Sequence, residues 1–361
     1  IYSLAEGEQW LAEAKAKKAD GLMVVLLDRQ EHSWPTANMA IDSLIPTVVF
    51  SPVGSSFTVN TAAPSLKEGC FIASTDDFRQ TRYGLKMLGA RAKMRATRCL
   101  VIAGKKAVDR DMPGLGIKLR YLPAAAFLEE YEKTPESDEV KAMAKELMAG
   151  AKHQIGATPQ DVLNGIKSYV VARTLLEREK ADAISMDCLG ALGKTKVSLP
   201  CIAWSKMNDD GIPAACEADL GAVATHIITQ YLFDRPGFQQ DPVAETAREA
   251  IVGAHCSCPT RLEGFDATPV PYDIMHHHAA RDATARPVWK VGQRVTSADV
   301  LVGPAPKMII SAGTVLDNVS VPPAGGCVVS VMVKFDDVSD VLAYPGFHQV
   351  FFYGDFKREL V

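Results

Sequence analysis

The run Gly21-Leu-Met-Val-Val-Leu-Leu27 is the first clear sign of the architecture, because it is apolar throughout and has the length of a strand. Such runs are typical of strands that are buried on both faces of a parallel sheet. It follows an Ala-, Glu- and Lys-rich helical pattern over residues 3–18. A second helix is predicted near residues 34–43, and Thr47-Val-Val-Phe50 predicts the next strand. This alternation of helix and strand indicates an α/β domain. Two strands make a poor sheet, so we expect an upstream unit to be missing from this numbering.

A second α/β pattern follows. The segments Cys99-Leu-Val-Ile-Ala103 and Ala183-Ile-Ser-Met186 predict buried strands. Thr158 and Pro159 predict the N-cap and first turn of a helix that runs to about residue 180. We interpret Cys201-Ile-Ala-Trp204 as a further strand and residues 217–233 as an amphipathic helix.

The composition changes after about residue 235, where glycine, proline, valine and threonine become more frequent. Short segments at Val288–Val291, Met308–Ile310 and Val328–Val333 predict strands separated by turns. The fold class predicted is therefore α/β, with two Rossmann-like α/β domains followed by a C-terminal β-rich, barrel-like domain. The predicted domains are a truncated N-terminal α/β domain at residues 1–68, a second α/β domain at 69–234 and the β-rich domain at 235–361.

The bulk composition excludes several classes of function. With 361 residues, 47% hydrophobic and 23% charged, the chain is ordinary for a globular protein. A net charge of -4 argues against nucleic acid or an anionic membrane as the main partner. An apolar run of about 18 residues, which a transmembrane helix needs, is not found. The eight cysteines are scattered, mostly among apolar neighbours, so we expect free thiols and a cytoplasmic protein.

The segment Ile212-Pro-Ala-Ala-Cys-Glu217-Ala-Asp219 places a carboxylate where a loop enters a helix. A helix N-terminus favours negative charge, so Glu217 is easily kept ionised, as a metal ligand must be. Asp241 lies beyond that helix and its return loop, directly before Pro242. Each residue also has an ordinary structural explanation. Glu217 would then interact only with the helix dipole, and Asp241 would be a turn residue.

Histidines form the second set of candidates. In Gly253-Ala-His255-Cys-Ser-Cys-Pro259, a zinc knuckle is disfavoured, because Cys256 and Cys258 are one residue apart and no second cysteine pair follows. If this segment is extended, the two cysteines point one way and His255 the other. His255 is the better candidate for a site residue. The triplet His276–His278 is either a polar loop or the source of one side chain near a site.

A last candidate is His348, which stands at the start of the apolar run Gly346-Phe-His348-Gln-Val-Phe-Phe-Tyr-Gly354-Asp355. A single histidine there is also compatible with a purely structural role. In chain order, the segment around Glu217, the position of Asp241, the Gly-Ala-His-Cys-Ser-Cys-Pro segment and this last run resemble the L-fucose isomerase and L-arabinose isomerase superfamily. The resemblance covers most of the chain and is strongest at residues 200–260 and 345–361.

The resemblance implies a metal-dependent aldose–ketose isomerase that acts on a free, fucose- or arabinose-like sugar through a cis-enediol. Mn²⁺ or another divalent cation would lie between the second and third domains. Glu217 and Asp241 would be acid–base residues and metal ligands, and His348 would be the terminal metal histidine. Residues expected to contact substrate are His255, His277 and Trp204, and His255 also matches a metal ligand of the arabinose-isomerase branch.

The same resemblance implies a homo-oligomer, a hexamer or a trimer, in which a neighbouring N-terminal domain helps to close the site. The run from His276 to Asp282 departs from the family, which often has an aromatic residue and a glutamate there. Two alternatives therefore stay open. One is a metalloenzyme of the same fold that acts on a different polyol or modified sugar. The other is a non-catalytic sugar-binding protein.

Overall fold

A computed structural model describes residues 1–277, 282–320 and 327–360. The chain forms two units, Ile1–Lys93 and Met94–Val361. The domain boundaries proposed from composition, after residues 68 and 234, stay predictions.

The first unit contains a three-stranded parallel sheet in the order β1-β2-β3. Val48 and Val49 on the middle strand are almost completely buried, as expected for a parallel sheet covered by helices. Gly84 permits the last helix to pack closely, because a Cβ atom there would lie 2.6 Å from Val48 Cγ1. The elements are α1 (Leu4–Ala16), β1 (Leu22–Val25), α2 (Ser33–Asp42), β2 (Thr47–Ser51), α3 (Thr58–Ser65), β3 (Cys70–Ser74) and α4 (Gln80–Ala96).

The second unit begins with α/β elements. These are β4 (Arg98–Ile102), β5 (Val108–Asp111), β6 (Lys118–Leu122), α5 (Ala125–Lys133), α6 (Asp138–Gly150), β7 (Gln154–Ile155), α7 (Pro159–Glu179), β8 (Ala183–Met186), α8 (Cys188–Leu192), α9 (Cys201–Asp209), β9 (Ala214–Cys216) and α10 (Leu220–Phe233). Five strands form a sheet in the order β5-β6-β4-β8-β9, parallel except for the β5-β6 pair. Helix α7 starts with a capping box between Thr158 and Asp161, which confirms the predicted N-cap.

The remainder of the unit is mainly β-structure. Its elements are β10 (Phe238–Glu245), β11 (Ala250–His255), β12 (Tyr272–His276), β13 (Ala283–Pro287), β14 (Arg294–Leu301), β15 (Lys307–Asn318), β16 (Val329–Phe335), β17 (Gln349–Tyr353) and α11 (Lys357–Leu360). Six of these strands close an antiparallel barrel in the order β10-β11-β16-β15-β14-β17. Its interior is apolar, with Phe238, Trp289 and Phe351 almost completely buried. The predicted fold class, α/β elements followed by a C-terminal barrel, is confirmed.

A small sheet in the order β13-β12-β7 lies outside the barrel and joins the two parts of this unit. Strand β12 pairs with β13 in antiparallel fashion and with the short β7 in parallel fashion. Strand β7 belongs to the α/β segment. The β12–β7 pairing therefore connects the chain that follows barrel strand β11 with the first part of the unit. Within the described residues, every helix is too short or too polar to traverse a lipid bilayer.

Three local predictions were wrong. Cys201–Trp204 is the first turn of helix α9 and not a strand, because a short apolar run buried on all sides does not distinguish a helix from a strand. Val288–Val291 is irregular, and the strand in this region is Ala283–Pro287. The helix expected from residue 217 starts at Leu220, because Glu217 and Ala218 have positive φ angles that no α-helix accommodates.

Candidate metal centre

Four separate segments of the second unit bring their polar side chains to one place. Glu217 lies in the loop between β9 and α10, and Asp241 lies on β10. His255 is the last residue of β11, and His348 directly precedes β17. These are the carboxylates and histidines that the sequence analysis selected from distant parts of the chain.

The barrel register explains why these residues meet. Strand β10 pairs with β11 on one side and with β17 on the other. Asp241 is opposite Ala254, one residue before the end of β11, and Gln240 is opposite Gln349, the first residue of β17. The ends of the two strands that carry the histidines therefore flank β10 at the level of Asp241.

The distances match a set of ligands around one ion. His348 Nε2 lies 3.6 Å from Glu217 Oε2 and 3.4 Å from Asp241 Oδ1. His255 Nε2 lies 3.8 Å from Glu217 Oε1. One ligand atom each from Glu217, His255 and His348 lies within 4.8 Å of the other two, and this group could hold a metal ion. Asp241 contacts His348 but does not belong to this group of three.

His348 is oriented by a further carboxylate, that of Asp219. Its Nδ1 lies 2.8 Å from Asp219 Oδ2, while Asp219 Oδ1 caps helix α10 by accepting from the backbone N–H of Ala222. Burial lowers the pKa of His348, but the hydrogen bond to Asp219 and the charges of Asp241, Asp219 and Glu217 together outweigh burial and raise the pKa. The Nε2 atom is buried and has no hydrogen-bond partner in residues 1–277, 282–320 and 327–360. A buried nitrogen held in this way is ready to act as a ligand.

The loop that carries Glu217 has an unusual backbone. Glu217 has φ 64° and Ala218 has φ 55°, both in the left-handed region that non-glycine residues seldom occupy. The surrounding contacts hold this conformation, because Cys216 N donates to the side chain of Gln239 at 2.8 Å. Such strain costs about 1–3 kcal/mol per residue and is concentrated at functional sites. Here it turns the Glu217 side chain towards the two histidines.

The electrostatics favour a cation. The neighbouring imidazole of His255 lowers the pKa of Glu217, although burial opposes it, so this carboxylate is ionised at neutral pH. Burial lowers the pKa of His255, but its contacts with Cys256 and with the carboxylates of Glu217 and Asp241 outweigh burial and raise the pKa to about 10. Carboxylates that favour a proton on an imidazole also favour a metal ion. Protons and metal therefore compete for these nitrogens.

The structure places the other predicted substrate-binding residues elsewhere. His277 is buried directly after β12, and it forms a second group with Cys201 and Cys256. Trp204 is fully buried on α9 in the apolar core of the second unit. Their contacts with substrate stay predictions. His278 lies outside the described residues.

The extended conformation on which the predicted orientation of Cys256 and Cys258 depended does not continue to Cys258. Cys256 belongs to the apolar cluster around the five-stranded sheet, while Cys258 belongs to the interior of the barrel. Strand β11 ends at His255, so the alternation expected of an extended chain does not continue through residue 258. All eight cysteines are free.

No protein-family model matches this sequence, and a search of curated proteins gives no match. Sequence reasoning missed the role of Asp219 as the partner of His348. The only signal was its position two residues after Glu217, and it does not reveal a contact with a residue so distant in the chain.

Proposed function

We propose that this chain is a metal-dependent aldose–ketose isomerase of the L-fucose and L-arabinose isomerase type, acting on a free sugar. One observation carries the proposal. The three residues selected from the sequence as ligands and acid–base groups meet at one atom, since His348 Nε2 contacts both Glu217 and Asp241 at 3.6 and 3.4 Å. These side chains come from three separate segments, namely the loop before α10, strand β10 and the residue before β17.

The residues fit a divalent cation. Glu217, His255 and His348 would hold it, with Asp241 close enough to join them after a small movement. Two imidazoles and one or two carboxylates suit Mn²⁺ and are also compatible with Mg²⁺, Co²⁺ or Zn²⁺. The buried Nε2 of His348, which lacks a hydrogen-bond partner among the described residues, supports this assignment, because a buried polar atom normally has a partner.

The chemistry of aldose–ketose exchange explains why such a centre is needed. The reaction removes a proton from a carbon next to a carbonyl group, and that carbon is a weak acid. A bound divalent cation would stabilise the negative charge that develops on the two neighbouring sugar oxygens. An ionised carboxylate beside the substrate would remove that proton, and the carboxylic acid formed in this way would return it to the adjacent carbon.

Glu217 and Asp241 are suited to different parts of this task. Glu217 faces one histidine with each of its oxygens, which supports a role mainly in binding the cation and holding its charge. The Asp241 side chain is 42% exposed. It can therefore approach a substrate that enters from solvent and transfer the proton between its carboxylate oxygen and the sugar carbon. His255 and Asp219 would orient the ligands around them.

The test measures ketose formation by the purified chain loaded with Mn²⁺, using fucose, arabinose and their epimers as substrates. We expect turnover of at least one aldose, and a loss of about 100-fold or more in Glu217→Gln and in Asp241→Asn. Glu249→Gln and Asp317→Asn are matched controls, because both carboxylates lie on the barrel surface in exposed ion pairs. Full activity in either site variant would contradict the proposal.

The two open alternatives give different results in the same assay. A related metalloenzyme with another substrate would bind Mn²⁺ at these residues but leave every aldose unchanged. A non-catalytic sugar-binding protein would bind a sugar without turnover and without dependence on Asp241. Measurement of Mn²⁺ binding and sugar binding alongside turnover therefore separates the three functions.

A further inference from the structure

A second cluster of ligand-type side chains lies close to the candidate metal centre but shares none of its residues. Cys201 is the first residue of α9, Cys256 follows β11 and His277 follows β12. One atom each from the two sulfurs and the imidazole lies within 4.8 Å of the other two. All three residues are more than nine-tenths buried.

We infer that Cys201, Cys256 and His277 form a second metal site for a soft divalent cation of the zinc class, with three protein ligands and the fourth position of a tetrahedral ion left for a non-protein ligand. Thiolate sulfur and imidazole nitrogen are the ligands that zinc prefers in proteins, and they distinguish this site from the oxygen-rich centre beside it. The inference does not depend on the isomerase proposal.

The sulfur–sulfur distance favours a metal over a disulfide. Cys201 Sγ donates a hydrogen bond to Cys256 Sγ, and the two sulfurs are 3.4 Å apart. A disulfide bond is about 2.05 Å long. Two sulfurs bound to one tetrahedral zinc, with zinc–sulfur bonds of about 2.3 Å, would be about 3.8 Å apart. The pair is therefore a few tenths of an ångström from the spacing that zinc needs and more than 1 Å from a covalent bond.

Charge also favours a divalent ion. When both thiols lose their protons, two thiolates and one divalent cation make a centre with no net charge, and the imidazole ligand is neutral. A monovalent cation would leave a net negative charge in a site with almost no access to water. Burial of an uncompensated charge is strongly unfavourable, so a neutral centre is the one that fits this environment.

The protein holds these ligands on separate, well-packed elements. Thr284 on β13 donates a hydrogen bond to the backbone carbonyl of Cys256. The backbone N–H of His277 donates to Asp282 O at 3.2 Å, which closes the hairpin between β12 and β13. An ion here would link helix α9, the end of β11 and the small sheet. Cys256 Sγ also lies 3.7 Å from His255 Nδ1, so the site would support a ligand of the neighbouring centre.

The experiment uses Co²⁺ as a spectroscopic substitute for zinc. The full chain is purified under reducing conditions, stripped with a chelator and loaded with excess Co²⁺. We expect sulfur-to-cobalt charge-transfer absorption in the near ultraviolet, which the Glu217, His255 and His348 centre cannot produce because it contains no sulfur. His348→Gln should keep this absorption, whereas Cys201→Ser and Cys256→Ser should lose it.

Cys258→Ala is the matched control. Cys258 is fully buried and only two residues from Cys256, but it lies in the barrel interior. This variant should keep the absorption. X-ray absorption at the zinc edge of the zinc-loaded wild-type chain provides a test that needs no variant, and we expect zinc–sulfur scattering, averaged over all the zinc that the chain binds. Absence of sulfur from the coordination of cobalt and zinc in the wild type would overturn the inference, as would absorption that survives in both Cys201→Ser and Cys256→Ser.

Discussion

His348 Nδ1 and Asp219 Oδ2 lie 2.8 Å apart, and this contact determines which nitrogen of the imidazole is left for a ligand. Burial raises the pKa of Asp219, but the hydrogen bonds from His348 and from the start of helix α10 outweigh burial and hold it below its usual value. The ionised carboxylate accepts the Nδ1 proton, so Nε2 is the nitrogen at which a metal ion and a second proton compete. Nε2 faces Glu217 and Asp241.

Replacement of Asp219 by asparagine tests this positioning role. Asparagine is as good an N-cap as aspartate, so helix α10 should remain intact. Its one oxygen cannot serve both His348 and the backbone N–H of Ala222. We therefore expect Mn²⁺ affinity to fall by about 10- to 100-fold, with a small change in stability. Calorimetric titration with Mn²⁺, combined with urea unfolding, checks both parts. Unchanged affinity would mean that Asp219 only caps the helix.

The left-handed backbone after β9 leads to a prediction about stability. Ala218 has φ 55°, a conformation that is unfavourable for a β-branched residue and easy for glycine. Ala218→Val should lower the free energy of unfolding by about 1–3 kcal/mol. Ala218→Gly should differ from the wild type by no more than about 1 kcal/mol. Urea unfolding of the two variants measures the difference. Equal stability of the valine and glycine variants would show that the loop relaxes to another conformation.

His226 predicts how stability depends on pH. The residue is fully buried on α10, and both ring nitrogens lack hydrogen-bond partners within the part of the chain that the structure describes. Burial lowers the pKa of His226 from 6.5 to about 3. Below pH 6.5 the unfolded chain therefore binds a proton that the folded chain excludes. Protonation of the unfolded chain at His226 therefore leaves the free energy of unfolding unchanged above pH 6.5. It lowers that free energy progressively as the pH decreases towards about 3.

The expected slope is about 1.4 kcal/mol per pH unit for this one group. His226→Leu removes the titrating group without breaking a hydrogen bond among the described residues. The difference in unfolding free energy between the wild type and this variant should therefore change with that slope between about pH 6 and pH 4. A difference that is constant over this range would contradict a neutral, buried His226.

Local sequence patterns predicted much of the architecture because they depend only on interactions between residues that are near one another in the chain. The apolar run around Val24 and the capping box at Thr158 need only neighbouring residues to be recognised. The same reasoning was wrong for Cys201–Trp204, where the sequence contains no feature that separates a buried helix from a buried strand. Whether such a segment forms a helix or a strand depends on its packing, here against α7 and β9, which are other parts of the chain.

The sequence predicted which residues form the centre better than it predicted how those residues are arranged. Glu217, Asp241 and His348 were recognisable by residue type and chain order. The position of His255 opposite Glu217, at 3.8 Å, depends on where β11 ends in the barrel. The contact between Asp219 and His348 joins residues that are 129 positions apart in the chain. Registers and strand ends are tertiary properties, and no local pattern encodes them.

Anomalous X-ray scattering from crystals soaked in Mn²⁺ is the most direct measurement of the central claim. If Glu217, His255 and His348 form a metal centre, we expect a single strong manganese peak within bonding distance of Glu217, His255 Nε2 and His348 Nε2, with Asp241 at or near the same ion. The peak should be lost in crystals of Glu217→Gln. Manganese bound only at other residues, with no peak among these side chains, would contradict the account.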